Sequence, residues 1–309
     1  LAYKKEAPVN WCEGCKTVLA NEQVVEGLCE RCDNKAVLKY LNQWFFKITD
    51  FIEDTEFEGR KTDGLLSGTE KIDWPHGTLV SQRNWIGRSE GVNFKMKVKD
   101  MDIEWGAYDS VPQTFKAQTF VIIAPEHPDV PKMVEGTEYE KEVLDFVEKM
   151  KTLKMSKKFD INTDMQGIFT GRYADNPYGT GDLPIWISSF VVMDYGTGVV
   201  GCSAHDERDF NFAKKYDIPL RPVMFPADPK EAEKVRNLEH CYMKDSEGIM
   251  ERPKDFKGRK WGEIREDIID FIVKKGMGER VTNYKIRDWL VSRQRYWGAP
   301  IPIIYCDDC

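Results

Sequence analysis

Asp194-Tyr195-Gly196-Thr197-Gly198-Val199-Val200-Gly201-Cys202-Ser203-Ala204-His205-Asp206-Glu207-Arg208-Asp209 is the stretch from which the rest of the chain can be ordered. An apolar run, residues 186–193, leads into it and reads as a strand. Gly196 and Gly198 then permit a turn with positive φ or a close backbone approach, which a Cβ would hinder. Residues 199–204 read as a second strand-like piece, and a helix opens at Asp206. Aspartate suits an N-cap, and Asp209 then takes the third helical position, where a carboxylate meets the positive helix end. By itself this is a strand, a turn and a capped helix. Its meaning depends on what flanks it.

Composition sets the class. Of the 309 residues 41% are hydrophobic and 31% charged, the balance of a soluble protein with room for two or three domains and a sizeable core. No run of about 18 apolar residues occurs, so no membrane partner is expected. A net charge of -7 argues against an all-over basic surface but leaves room for a local basic groove, because local potential steers a polyanion. The N-terminus has no apolar signal region, and both ends read as the interior of a larger protein.

The eight cysteines fall into a pattern. Cys12, Cys15, Cys29 and Cys32 form two CxxC knuckles, Cys306 and Cys309 form a third, and Cys202 and Cys241 stand alone. Paired knuckles suit tetrahedral thiolate ligation of Zn2+ and a reducing, cytoplasmic compartment. Two disulfides are the alternative.

Along the chain, residues 1–40 read as a zinc ribbon with a hairpin between its knuckles. Residues 36–56 read as an amphipathic helix, with Leu38, Leu41, Trp44, Phe45, Ile48, Phe51 and Ile52 at helical spacing. Residues 57–80, through Trp74-Pro75-His76-Gly77, read as a loop, with His76 on the surface. Residues 92–98 alternate as a strand, 103–108 form its hairpin partner, and 109–119 form a polar, hydroxyl-rich loop. Strands are expected at 120–124, 167–174 and 184–193, and helices at 138–154, from Asp206, and at 261–276. Near the end, Arg293, Arg295, Tyr296 and Trp297 interleave cations with aromatics, suited to phosphates and stacked bases or to the packed end of a helix.

Taken together, these residues resemble the leucyl-tRNA synthetase family, bacterial type, over essentially the whole chain. The matching motifs are Glu6-Ala7-Pro8-Val9-Asn10-Trp11-Cys12, Gln43-Trp44-Phe45-Phe46, Asn84-Trp85-Ile86-Gly87-Arg88-Ser89-Glu90-Gly91 and Ala124-Pro125-Glu126-His127-Pro128. They continue with Gly196-Thr197-Gly198, Ala204-His205-Asp206-Glu207-Arg208-Asp209 and residues 287–298. The resemblance implies an α/β chain: a zinc ribbon and connective segment at 1–84, an α+β editing domain with a β-barrel-like core at 85–282, and at 283–309 a truncated return into a Rossmann-like catalytic fold. The family's ATP motif of His-Ile-Gly-His type is absent, and Lys154-Met155-Ser156-Lys157-Lys158 reads as a solvated charge run. ATP and Mg2+ are therefore implied only for a parent enzyme that charges tRNA.

The implied chemistry is hydrolysis of misacylated tRNA(Leu). A leucine pocket gains only about 1–3 kcal/mol over a substrate one methylene different, so a second, smaller pocket is needed to remove errors such as norvaline or isoleucine. By resemblance, Asp209 holds the substrate α-ammonium and Thr114 excludes leucine by contact. Asp206, His205 and Thr197 belong to the same centre, and Ser110, Gln113, Tyr195, Gly196, Gly198 and Arg208 line the substrate. Arg293, Arg295, Tyr296 and Trp297 are implied to touch tRNA. Water is the nucleophile, with no editing metal. Two departures stand out. The family's Thr-Thr-Arg-Pro-Asp-Thr loop is here Asp109-Ser110-Val111-Pro112-Gln113-Thr114, and residues 199–204 are one shorter than the family's usual segment. A monomer is expected. Two other readings stay open: a zinc-stapled tRNA-binding module with an inactive pocket, and the equivalent insertion of the isoleucyl or valyl enzymes.

Overall fold

The computed structural model describes residues 2–19, 23–25, 27–57, 59–155, 165–191, 193, 197–243, 245–291 and 303–305. The chain divides into two compact units, one from Leu1–Arg88 with Tyr284–Cys309 and one from Ser89–Lys154 with Lys158–Asn283.

The first unit is organised by two long strands, β1 (Ala2–Cys12) and, after β2 (Thr17–Leu19), β3 (Val24–Val25) and β4 (Leu28–Cys29), the strand β5 (Ala36–Phe46). β1 and β5 pair antiparallel from Ala2↔Phe46 to Cys12↔Ala36, with β2 on the other edge of β1. The expected helix over 36–56 is therefore corrected to a strand followed by a 3-10 turn, Ile48–Phe51. The apolar spacing there is compatible with either form. The strand prevails because a partner in register takes up its backbone groups and its rings: Tyr3 stacks on Phe45 at 5.6 Å and Lys4 sits over Trp44 at 4.8 Å, each against its register partner.

The expected loop at 57–80 is also more ordered. It holds β6 (Thr55–Phe57), β7 (Arg60–Thr62), α1 (Leu65–Gly68) and the start of α2 (His76–Ile86). His76 is exposed but opens a helix, because Pro75 sets the entry and Gly87, at φ 61°, stops it in the left-handed conformation. Ile52, Ile86 and Ile286 make a small core here, so the chain's return at 284–291 closes onto the same unit, and Trp289–Leu290 adds a last strand beside β5.

The second unit begins with the hairpin β8 (Ser89–Lys97) and β9 (Glu104–Asp109), as expected. A buried 3-10 turn, Pro112–Ala117, replaces the expected polar loop and leads to β10 (Gln118–Ile123). There follow α3 (Asp129–Val134), α4 (Glu140–Met155), β11 (Gly167–Ala174), β12 (Leu183–Ser188), β13 (Val199–Ser203) and α5 (Glu207–Lys215). The unit ends with β14 (Met224–Phe225), α6 (Pro229–Arg236), β15 (Ile249–Met250), α7 (Arg265–Lys274) and β16 (Gly278–Asn283). β12 stops earlier than expected, because the Ser188 hydroxyl and the Ser189 amide both turn to the Gln166 carbonyl, at 2.8 and 3.1 Å.

Two sheets carry the architecture, in the orders β16-β8-β9 and β11-β12-β10-β13, with β10 and β12 parallel. Their shared core includes Phe94, Phe115, Val121, Ile123, Ile185 and Ile268. The fold is mixed α/β with several sheets, but no closed barrel forms among the described residues. β9 packs against β13 without a ladder, and among the described residues the one backbone bridge between the two sheets is Val98↔Ala174, so the hydrogen-bonded circuit that closure requires is broken there. No helix among the described residues is long and apolar enough to cross a membrane.

Candidate active site

Asp206 caps α5, its Oδ1 accepting the Arg208 and Asp209 amides at 3.0 and 3.3 Å. The local sequence suffices for this: an Asp cap, acids in the first turn, and lysines in the last. The cap places Asp209 on the inner side of the helix start. There it is 8% exposed, and its Oδ2 accepts the Ser203 amide of β13 at 2.9 Å. Burial, reinforced by the Asp206 charge, pushes the Asp209 carboxyl up to about 8 against the opposing pull of the Ser203 amide, the Cys202 thiol and Arg208. Asp209 is thus a buried acid answered by a backbone amide and a thiol, with no cation in direct contact among the described residues.

His205, just before the cap, is buried, and both its ring nitrogens are engaged. Nδ1 lies 2.7 Å from the Tyr242 carbonyl and Nε2 accepts the Val223 amide at 2.9 Å. Since Nε2 accepts, Nδ1 carries the proton and donates to Tyr242. Burial lowers the imidazole to about 4, so it stays neutral. The ring clips the segment leading to β14 onto the start of α5 and has no nitrogen left over for a substrate.

Thr114 lies in the Pro112–Ala117 turn, which packs against β13 and α7. Its hydroxyl donates to the Val111 carbonyl at 3.0 Å, and Asp109 Oδ1 accepts the Val111 amide at 2.7 Å. Thr114 is 6% exposed. Gln113 beside it is buried with Oε1 unpartnered. β10 starts at the end of this turn, and Gln118 pairs with Ser203, the residue whose amide holds Asp209. The Thr114 turn and the Asp209 helix start therefore meet the same pair of strands.

The other expected residues are dispersed. Thr197 is exposed and its hydroxyl donates to the Gly106 carbonyl at 2.5 Å. Gly198 has φ 74° and accepts the Ala124 amide, so the turn does need a residue without a Cβ. Ser110 is exposed, and Arg208 points outward with Nε 3.9 Å from Asp206. Tyr195, Gly196, Arg293, Arg295, Tyr296, Trp297, Cys306, Cys309 and residues 156–158 of the lysine-rich run lie outside the described residues. Sequence reasoning missed Cys202, Gln118 and Tyr178, since nothing local signals that these side chains are buried around the site.

In the first unit, the ligand atoms of Cys12, Cys15, Cys29 and Cys32 all lie within 4.8 Å of one another. Cys12 and Cys32 sulfurs are 3.3 Å apart and Cys15 and Cys29 sulfurs 4.0 Å, and all four are free thiols, which sets the disulfide alternative aside. Tetrahedral thiolates at about 2.3 Å from a metal stand roughly 3.8 Å apart, so the spacing fits one ion. The two knuckles are alike: Lys16 and Asp33, each following the second cysteine of its pair, take φ 50° and 57°.

A family model described as "Leucyl-tRNA synthetase, editing domain" matches residues 83–273. The chain belongs to the leucyl-tRNA synthetase family. It is 44% identical over 311 residues to a leucine--tRNA ligase of Thermotoga maritima and 42% identical over 310 residues to one of Clostridium perfringens, covering 100% of this chain and 36% of each relative. Among solved structures it is similar to the agnB2 LeuRS of Agrobacterium radiobacter K84 in a ternary LeuRS-tRNA-LeuAMS complex. There the TM-score is 0.67 and the identity 30%, over 100% of this chain and 33% of that one. The chain thus spans about a third of the length of the relatives it matches.

Within the leucyl-tRNA synthetase editing domain, Asp209 and Thr114 both fall inside the matched region, and so do the departures at Val111 and Gln113. Val111 is half-buried and apolar where the resemblance has arginine, so this turn offers no cation of its own at that place. The four clustered cysteines precede the matched residues.

Proposed function

We propose that residues 89–283 hydrolyse the ester of misacylated tRNA(Leu), removing a noncognate amino acid such as norvaline or isoleucine. The observation that carries this reading is Asp209, a buried carboxyl at the start of α5 with a Ser203 amide and, among the described residues, no cation in direct contact with it. A substrate α-ammonium entering beside it supplies the missing counter-charge and draws the carboxyl into its ionised form, a charge-assisted contact that orients the ester carbonyl. Thr114, held by Val111 on the adjoining turn, limits the side chain that fits. Water attacks the carbonyl. The chain's contribution is to hold the ester and polarise it, since His205 is committed to Tyr242 and Val223.

Around this reaction, Arg293, Arg295, Tyr296 and Trp297 would contact tRNA, and Cys12, Cys15, Cys29 and Cys32 would hold a structural Zn2+ whose thiolates pin the two knuckles together. Attachment of leucine with ATP and Mg2+ would belong to a longer protein containing this chain, acting as a cytoplasmic monomer. The test is deacylation of norvalyl-tRNA(Leu) and leucyl-tRNA(Leu). Asp209→Ala should cut norvalyl hydrolysis at least ten-fold, in line with loss of a charged hydrogen bond of about 1.5–3 kcal/mol. Thr114→Ala should begin to hydrolyse leucyl-tRNA(Leu). A folded Asp209→Ala variant that works at the wild-type rate ends the proposal.

A further inference from the structure

Asp109, Gln118 and Tyr178 form a hydrogen-bonded chain behind the Thr114 turn that the expected site residues do not include. Asp109 uses both oxygens: Oδ1 accepts the Val111 amide at 2.7 Å, and Oδ2 accepts Gln118 Nε2 at 2.7 Å. Gln118 Oε1 accepts the Tyr178 hydroxyl at 2.5 Å. The Tyr178 ring, 1% exposed, packs edge-on against Phe94 and Phe115 at 4.8 and 5.9 Å, so its hydroxyl has little freedom. The Gln118 carboxamide is 2% exposed and lies over Gly201, where a Cβ would run into Oε1. Gln118 also begins β10, pairs with Ser203, and precedes the register shift between Gln118 and Phe120.

Gln118 therefore touches both walls of the proposed pocket. Through Asp109 it fixes Val111, whose carbonyl receives the Thr114 hydroxyl and amide at 3.0 and 3.1 Å. Through its pairing with Ser203 it is registered to the strand whose amide holds Asp209. We propose that Gln118, braced by Tyr178 and accommodated by Gly201, is a positioning residue that sets the distance between Thr114 and Asp209 and so the size limit on the amino acid. This rests on the reading of the site as a hydrolytic pocket for aminoacyl esters. A buried amide can serve this purpose because each of its bonds is directional, and losing one leaves another polar group unpaired. In this chain the Thr114 turn carries Val111 in place of the family arginine, and Asp109 holds that residue's amide from within.

The test compares leucyl-tRNA(Leu) with norvalyl-tRNA(Leu) as substrates of the whole chain and of three variants. Gln118→Ala removes the brace. Gly201→Ala displaces it without changing Gln118. Tyr178→Phe keeps the packed ring and removes one hydroxyl, so it is the variant least apt to disturb folding. We expect the ratio of leucyl to norvalyl hydrolysis to rise at least ten-fold in Gln118→Ala and Gly201→Ala, and several-fold in Tyr178→Phe. A merely structural loss lowers both rates together and leaves the ratio alone. An unchanged ratio in the folded variants overturns the positioning role while leaving the hydrolytic reading in place, and Tyr178→Phe decides if the other two do not fold. A wild-type chain that hydrolyses neither ester overturns the hydrolytic reading and this inference with it.

Discussion

At the residue scale, two buried titratable groups a few positions apart are held uncharged for opposite reasons. Asp209 is pushed up to about 8 by burial and the Asp206 charge, and His205 down to about 4 by burial. The pH dependence of stability follows from which state binds the proton. The folded chain keeps a proton on Asp209 up to about pH 8, while an unfolded Asp gives it up near 3.9. The stabilisation associated with that proton is whole below about pH 4 and is lost as pH rises through about 8. His205 runs the other way, its contribution present above about pH 6.5 and lost as pH falls through about 4. The two oppose each other from about pH 4 to 6.5, and only Asp209 acts from about 6.5 to 8. Thermal melts over that upper window should therefore show the wild-type midpoint falling with pH and the Asp209→Asn midpoint nearly flat. Equal slopes would show that Asp209 is already ionised in the free protein. The motif at 204–209 singled out Asp209 as a candidate in the sequence. Its burial was not legible there, because that burial is made by β13 and not by its neighbours in the chain.

At the scale of the element, α5 separates helix capping from site electrostatics. Asp206 accepts two first-turn amides and also adds a negative charge beside Asp209. Asp206→Ala should cost about 1 kcal/mol of stability, the usual value for a lost N-cap, read from urea unfolding. Asp206→Asn caps almost as well, so stability should be nearly kept while the charge is gone. The Asp209 carboxyl should then fall, and the pH at which ester hydrolysis gains its Asp209-dependent part should shift downward with it. If Asn and Ala are equally destabilising, the cap bonds are not what Asp206 contributes. This element could be read from the sequence almost completely, since caps and first-turn acids act within one turn. β5 could not. Its aromatic residues sit at a spacing that both a helix and a strand accept, and the choice falls to β1, whose Ala2 pairs with Phe46 at the far end of the sheet.

At the scale of the whole molecule, the cysteine cluster and the proposed hydrolytic pocket belong to different compact units. Metal analysis of protein never given added zinc should find about one ion per chain, and Cys29→Ala should abolish it. A native Cys12–Cys15 disulfide would rule the site out. The cluster was foreseeable because CxxC spacing is itself a geometric constraint: two thiols on one tight turn converge, and two such turns bring four sulfurs within 4.8 Å of one another. The same holds for the β8–β9 hairpin, the cap at Asp206 and the left-handed Gly198, each set by residues close together in the chain. The tertiary structure alone decided that β5 is a strand, that the sheets stay open, that Asp209 faces a Ser203 amide, and that Gln118 bridges to Tyr178 sixty positions away. Periodicity and capping report on contacts within a turn or two. Burial and strand pairing depend on which distant segments arrive alongside, and the chain carries no local mark of that.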